Sequence, residues 1–235
     1  MARKAEARAT LPIAIQRGDG TRNRLIEAAI DIFAAHGFDG ASTRTLAQKA
    51  GANLAAIPYH FGSKAGLYRA AAQHIADGLS AKMLPTVIEV ETALENDSLE
   101  RRELLELLDR LMVKKFAATV LASVEADSWS YFIVREQMRP GEGFEILYRS
   151  VMARLQRLCA RLVGRLLKMP EDDPRISIRA MAMMGEILIF RTGRAALMKR
   201  LGWSRFTEDR LAHVQSVLSE NFQRILSAPV RERRD

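Results

Sequence analysis

Apolar residues recur along this chain at steps of three and four. Leu25, Ala29, Ile32 and Phe33 predict a helix from about Thr21 to His36, ended by Gly37, with Phe38 filling a small core beyond it. Leu46, Ala47 and Ala50 mark a short helix from Arg44 to Ala50. Thr43 stands at its N-cap, and Gly51 at the left-handed position that closes it. Asn53 caps a second short helix carrying Leu54, Ile57 and Phe61. Leu67, Tyr68, Ala71, Ile75 and Leu79 predict a longer helix, capped by Ser63, from Lys64 to about Met83, with Pro85 as its end or a kink. From Leu84 onward no strand alternation occurs. Residues 98–122 set Leu104, Leu105, Leu107, Leu108, Leu111 and Met112 opposite Glu100, Glu103 and Glu106. Residues 126–138 read as a helix dense in aromatics, stopped by Pro140 and Gly141. Residues 142–168 read as a long helix with Phe144, Leu147, Val151, Leu155, Leu158, Leu162 and Leu166 inward. Residues 174–199 are apolar over more than one face and want burial on several sides, and residues 207–227 carry Leu211, Val214, Val217, Leu218, Phe222 and Leu226. The expected fold class is all-α.

Within Thr43 to Lys64 the order of cap, short helix, glycine turn, cap and second helix fits a helix-turn-helix, with Ala47 small where two steeply crossing helices leave little room. An ordinary helical hairpin shares this outline, so the side chains must separate the two. Tyr59, His60 and Lys64 cluster at the end of the second helix. Lys64 falls in the first turn of the next one, where a cation opposes the helix dipole by about 0.3–1 kcal/mol, which a nearby polyanion would offset. The plain alternative is a solvated lysine.

Residues 21–68 closely resemble the DNA-binding domain of TetR-type transcriptional regulators, through FAAHGFDGAST, RTLAQKAG and IPYHFGSKAGLY. The resemblance implies a three-helix DNA-binding head on a helical, dimerising, ligand-sensing body. There are two departures. Pro58 stands where the family usually carries an aromatic that touches phosphate, and it removes a hydrogen bond to the Leu54 carbonyl, so a kinked or short recognition helix is expected. Ala65 and Gly66 follow Lys64 where acidic residues are usual, and Gly66 weakens that helix start by about 0.5–1 kcal/mol. By resemblance, Thr43, Tyr59, His60 and Lys64 hold phosphate. Arg44 is the candidate base reader, since a guanidinium grips guanine O6 and N7. Asn53, Ala55 and Ala56 lie at the exposed start of the recognition helix, and Arg22 can reach the DNA backbone. A second stretch, FIVREQMRPGEGFEILY from Phe132 to Tyr148, resembles the effector domain of the CecR-like branch of that family.

The chain of 235 residues carries 36 Lys and Arg against 28 Asp and Glu, a net charge of +8, which suits a polyanionic partner. The excess is not concentrated in the head, so charge alone does not locate a DNA site. Residues 1–20 read as a flexible basic arm with Arg3, Lys4, Arg8 and Arg17, interrupted by Pro12 and Gly18-Asp19-Gly20. Residues 21–66 are the expected head, 67–228 the body and 229–235 a tail. Arg154, Arg157, Arg161, Arg165 and Lys168 form a basic stripe, read as a solvated face partly paired with acids. Cys159, the single cysteine, excludes an intrachain disulfide and is expected in the core. No apolar run approaches the roughly 20 residues that span a bilayer, and a cytoplasmic protein with no membrane partner is expected. No nucleophile elbow, zinc-binding HExxH or P-loop occurs, and His36, His60, His74 and His213 are scattered. The expectation is a non-enzyme without cofactor or metal.

The function these features predict is a homodimeric DNA-binding regulator, a repressor released from a palindromic double-stranded operator by a small-molecule effector. Dimerisation is expected through residues 174–199 and 207–227, because a helix-turn-helix reads two half-sites. The effector is expected to be largely apolar and to sit among residues 100–190, lined by Trp129, Phe132, Arg135, Glu136, Tyr148 and Met184. Ordinary core packing, or an Arg135–Glu136 salt bridge, is the alternative for those six. A helical ligand-binding or scaffold protein with a degenerate head is the alternative for the whole.

Overall fold

The computed structural model describes residues 13–121 and 126–227, with side chains from residue 20 onward and, in the helix that opens at Ala126, from Ser128. Among the described residues the chain is helical, without strands. Helix α1, Ile13–Gly40, is interrupted at Gly37, whose φ of 74° and ψ of 179° leave the helical region. It starts earlier than its apolar pattern and runs through Gly18-Asp19-Gly20, part of the expected arm. Each glycine costs about 1 kcal/mol there, but extending an existing helix avoids the cost of nucleation. Residues 1–12 of the arm, with Arg3, Lys4 and Arg8, and the tail 229–235 lie outside the described residues.

Helix α2 spans Thr43–Lys49. Its N-cap is Ser42, not Thr43: the Ser42 hydroxyl accepts from the Thr45 N–H at 3.0 Å. Two cap-forming residues stand side by side, and the earlier one takes the role. Gly51 turns the chain in the left-handed region at φ 58°. The Asn53 carboxamide oxygen accepts from the Ala55 N–H at 2.9 Å, and the Ile57 N–H reaches the Leu54 carbonyl at 3.3 Å. Helix α3, Ala56–Phe61, follows from this turn. Pro58 thus sits in the first turn of α3, where a missing N–H and a fixed φ cost least. The helix is short but not kinked, because Ile57 serves the carbonyl that Pro58 cannot.

Helix α4 spans Lys64–Ala93, with the Ser63 hydroxyl accepting from the Gly66 N–H at 3.1 Å. A Cβ at Gly66 would run into the Phe61 carbonyl oxygen, so glycine permits α3 and α4 to meet closely. Pro85 does not end α4. Its ring lies on the exposed side, where water can serve the Ala81 carbonyl it leaves without an N–H, while Met83, Val87 and Val90 stay buried opposite.

The remaining helices are α5 (101–121), α6 (Ala126–Met138), α7 (142–167), α8 (Pro174–Thr192), α9 (Arg194–Leu201) and α10 (Glu208–Ser227). Helix α5 begins later than expected, at Arg101, because Glu100 and Glu103 form a reciprocal capping box. It is wound as π-helix over Asp109–Ala117. Helix α7 contains a π-turn at Tyr148–Met152. A π-turn holds an extra residue, so the inward stripe is not continuous. Leu147, Leu155, Leu158, Leu162 and Leu166 are buried, whereas Phe144 and Val151 are only half-buried. The expected helix 174–199 breaks at Gly193 into α8 and α9.

Two apolar cores result. The head core joins Leu25, Ala29 and Phe33 of α1 with Leu46, Ile57, Leu67 and Ile75, and reaches past residue 66 to include Phe132 and Leu147. Phe38 is 37 % exposed and rests against Phe33 and Tyr68 rather than inside. The body core gathers α4 beyond Met83 with α5, α7, α8 and α10. Cys159 lies within it, and burial pushes its thiol up to about 12. The basic stripe serves the end of α4: Arg154 clasps Glu91 at 2.9 and 2.6 Å, and Arg165 donates to the carbonyls of Leu94, Asn96 and Asp97.

Candidate nucleic-acid interface

The α2–turn–α3 unit presents polar and small side chains to solvent. Arg44, Asn53 and Ala55 are exposed, Thr43, Ala56 and His60 half-buried, and Tyr59 is 84 % exposed. Buried Leu46, Ala47 and Ile57 anchor the same unit to the head core. The rings of Tyr59 and His60 meet edge-on at 4.8 Å. The Arg22 guanidinium lies 5.5 Å from the Phe61 ring, which sets this turn of α1 beside the end of α3. These elements gather Arg22, Thr43, Arg44, Asn53, Ala55, Ala56, Tyr59 and His60 on or against one unit. It offers a guanidinium, a carboxamide and a phenol around a small-residue surface, a set suited to phosphate and base edges.

Lys64 is engaged within the head. Its ammonium donates to the carbonyls of Phe38 at 2.9 Å and Ala41 at 3.0 Å, and sits 4.2 Å from the Phe38 ring centroid. It is therefore not a free cation at a helix start: carbonyls at the end of α1, distant in sequence, hold it. Arg24 is similarly engaged, donating to the Ala50 carbonyl at 3.2 Å.

The six residues expected to line a body pocket do not share one. Met184 is in the body core, and Phe132 is fully buried in the head core. Tyr148 is 38 % exposed and stacks on Phe144. Trp129 is half-buried, edge-on to His74 and beneath the Lys82 ammonium. Arg135 and Glu136 do not pair, since neighbours on a helix point about 100° apart. Arg135 donates to the carbonyls of Ala34 at 3.3 Å and Ala35 at 2.9 Å, across Gly37, where a Cβ would come within 2.9 Å of the guanidinium. Glu136 is buried; its carboxylate accepts from the Tyr68 hydroxyl and, at 2.5 Å, from the Phe144 N–H in the first turn of α7. Burial, and then the Glu136 carboxylate, push the Tyr68 phenol above its ordinary range, so it stays a donor.

These contacts fasten head to body. The Ser128 hydroxyl adds a bond to Asp31 of α1 at 2.6 Å, and Asp31 also pairs with Lys49 at 3.0 Å. Burial opposes ionisation of Asp31, but Ser128 and Lys49 outweigh it and hold its carboxyl below the usual range. Sequence reasoning missed Tyr68, Ser128 and Asp31 as partners. One signal was available: α1 has no basic residue in its last turn, so its carbonyl end invites a cation from elsewhere.

Comparison with known proteins places the chain among transcriptional regulators. Residues 25–71 match the family described as bacterial regulatory proteins, tetR family. Residues 106–228 match the C-terminal domain of the HTH-type transcriptional dual regulator CecR. The Shigella flexneri HTH-type transcriptional dual regulator CecR is 32% identical over 213 residues, which cover 89% of this chain and 93% of that protein. Among solved structures, a transcriptional regulator from Aquifex aeolicus is similar with a TM-score of 0.52 at 15% identity, covering 87% of this chain and 99% of that one. A transcriptional regulator from Rhodococcus sp. Rha1 is similar with a TM-score of 0.53 at 17% identity, covering 86% and 97%.

Proposed function

The chain belongs to the TetR family of bacterial transcriptional regulators, in its CecR-like branch, and from that premise we propose that it is a homodimeric repressor released from a palindromic operator by a small molecule. The carrying observation is the exposed α2–turn–α3 unit, with Tyr59 84 % exposed above a buried Ile57. Arg44 reads a base edge. Thr43, Tyr59 and His60 hold phosphate, with Arg22 at the flank, while Asn53, Ala55 and Ala56 let the start of the recognition segment approach the groove. Pro58 supported a degenerate head only if it distorted α3, and its place in the first turn removes that ground.

Dimerisation through α8 and α10 is supported by apolar side chains left on the surface. Ile178, Met181, Leu188 and Ile189 follow helical steps along α8, and Val217 of α10 is exposed as well. Exposed apolar faces of this kind mark interfaces. Ile189→Glu is expected to give a monomer at micromolar concentration in light scattering; a variant still dimeric would move the interface elsewhere. The relative named a dual regulator suggests that activation at some sites accompanies repression. The deciding experiment is a gel-shift of the purified chain against DNA upstream of its own gene, with excess competitor. A discrete band is expected. No band from a folded dimer would overturn the proposal.

A further inference from the structure

A cavity of about 470 Å³ lies where head meets body, lined by His36 to Asp39 at the end of α1, Ala65 and Tyr68 of α4, Arg135 and Glu136 of α6 with Arg139 just past its end, and Gly141 and Glu142 at the start of α7. Its volume suits a small organic molecule. Three acids and two guanidiniums border it, but most have partners. Glu136 holds Tyr68 and Phe144, and Glu142 pairs with Arg69 at 2.9 Å. Arg135 uses its Nε and Nη2 on α1. Among the described residues, no hydrogen bond or ion pair occupies the Arg139 guanidinium, the His36 ring or the Asp39 carboxylate. Arg139 lies just past the end of α6, one turn beyond Arg135, with its N–H donating to the Arg135 carbonyl. Phe38 and Tyr68 give the cavity aromatic surface.

The geometry points to this junction cavity as the effector site, for a small organic acid with a ring: its carboxylate held by Arg139 and the free side of Arg135, its ring against Phe38 and Tyr68. The inference rests on the regulator reading above and gives its effector a place and a charge. It also supplies a mechanism. The body side of the cavity carries the guanidiniums. The head side carries the Asp39 carboxylate, while the carbonyl end of α1 is already covered by Lys64 and Arg135. A bound carboxylate is attracted to the guanidiniums and repelled by Asp39, and it competes with Ala34 and Ala35 for Arg135, the link that fastens the body to α1. The docked head is thereby disfavoured, the differential affinity that effector release requires.

The test uses three probes that share one ring system: 2-naphthoate, neutral 2-naphthamide and cationic 2-naphthylmethylammonium. Each is titrated into the full-length protein by calorimetry at low salt. The anion is expected to bind and the cation not to. Arg139→Ala should weaken naphthoate binding at least about tenfold, as loss of a charge-assisted hydrogen bond requires, and Asp39→Asn should tighten it. Naphthoate should weaken the operator gel-shift of the unmodified protein but not that of Arg139→Ala. Equal binding of the three probes, no binding at millimolar naphthoate, or binding that ignores Arg139 and Asp39 would each overturn the inference. Operator binding without any probe is measured first. Its failure would count against the regulator reading alone, because the titrations decide the cavity separately.

Discussion

Replacing Glu136 with alanine tests how firmly the head is fastened to the body. The wild-type carboxylate is 4 % exposed and satisfies the hydroxyl of Tyr68, itself 7 % exposed, and the half-buried Phe144 N–H. Alanine leaves both donors without an acceptor. A buried unsatisfied donor costs about 1–3 kcal/mol; Phe144 falls at the low end because water can reach it. The expected loss is about 2–4 kcal/mol, a large share of the roughly 5–15 kcal/mol that a native protein has. Glutamine should behave differently. Its amide oxygen can accept from Phe144, and its NH₂ can donate to the Tyr68 oxygen, which leaves only the Tyr68 O–H without its acceptor, so the cost is about 1–2 kcal/mol. The assay is urea unfolding at fixed protein concentration, because the proposed dimer would tie stability to concentration, with a double-mutant cycle against Tyr68→Phe. A coupling of about 1–3 kcal/mol is expected between the two sites. Equal losses for alanine and glutamine, or no coupling to Tyr68, would refute the assignment of Glu136 as the hub of this junction.

Other substitutions separate further roles. Lys64→Ala should lower thermal stability by about 1–2 kcal/mol, through loss of its half-exposed bonds to the end of α1, and leave the salt dependence of operator binding nearly unchanged; a flatter salt slope at unchanged stability would restore the phosphate role. Arg44→Ala should relax sequence preference by about 1–3 kcal/mol at one base position, read by binding to a randomised operator library; an unchanged profile would remove Arg44 from base reading. The lowered Asp31 carboxyl makes its contribution to head docking fully present above the ordinary carboxylate range and lost as pH falls through its folded value. Hydrogen exchange at α1 should therefore rise at low pH in the unmodified protein, with a weaker pH response in Asp31→Asn.

What the sequence disclosed was local. Gly51, Ser63 and the buried Leu46–Ala47 pair act within a few residues of themselves, so spacing and turn chemistry reveal them. Thr43 was mistaken for a cap because Ser42 beside it has the same chemistry, and only backbone position chooses between them. The contacts of Lys64 and Arg135 are not legible in the sequence because their partners are main-chain carbonyls at and just past the end of α1, 23 to 101 positions away, which leave no residue-type signature. The Arg135–Glu136 pairing was excludable beforehand from helix geometry, whereas the packing that brings Tyr68 to Glu136 was not.

The π-turn at Tyr148–Met152 sits between two commitments of a single helix. Leu147 before it belongs to the head core, and Leu155 after it belongs to the body core. One residue of an α-helix corresponds to about 100° of rotation, so the turn sets the angular phase between the two cores. Removing one residue there would let α7 wind as a plain helix with Leu147 and Leu155 to Leu166 keeping their faces, because the turn absorbs one extra residue, whereas inserting one more would swing Leu155 to Leu166 about 100° away from the body. Such an insertion should be far more damaging than the matching deletion. Aligning this chain with a relative whose helix is regular throughout would require a one-residue gap within 148–152, and the gap would mark where head and body are tuned to one another.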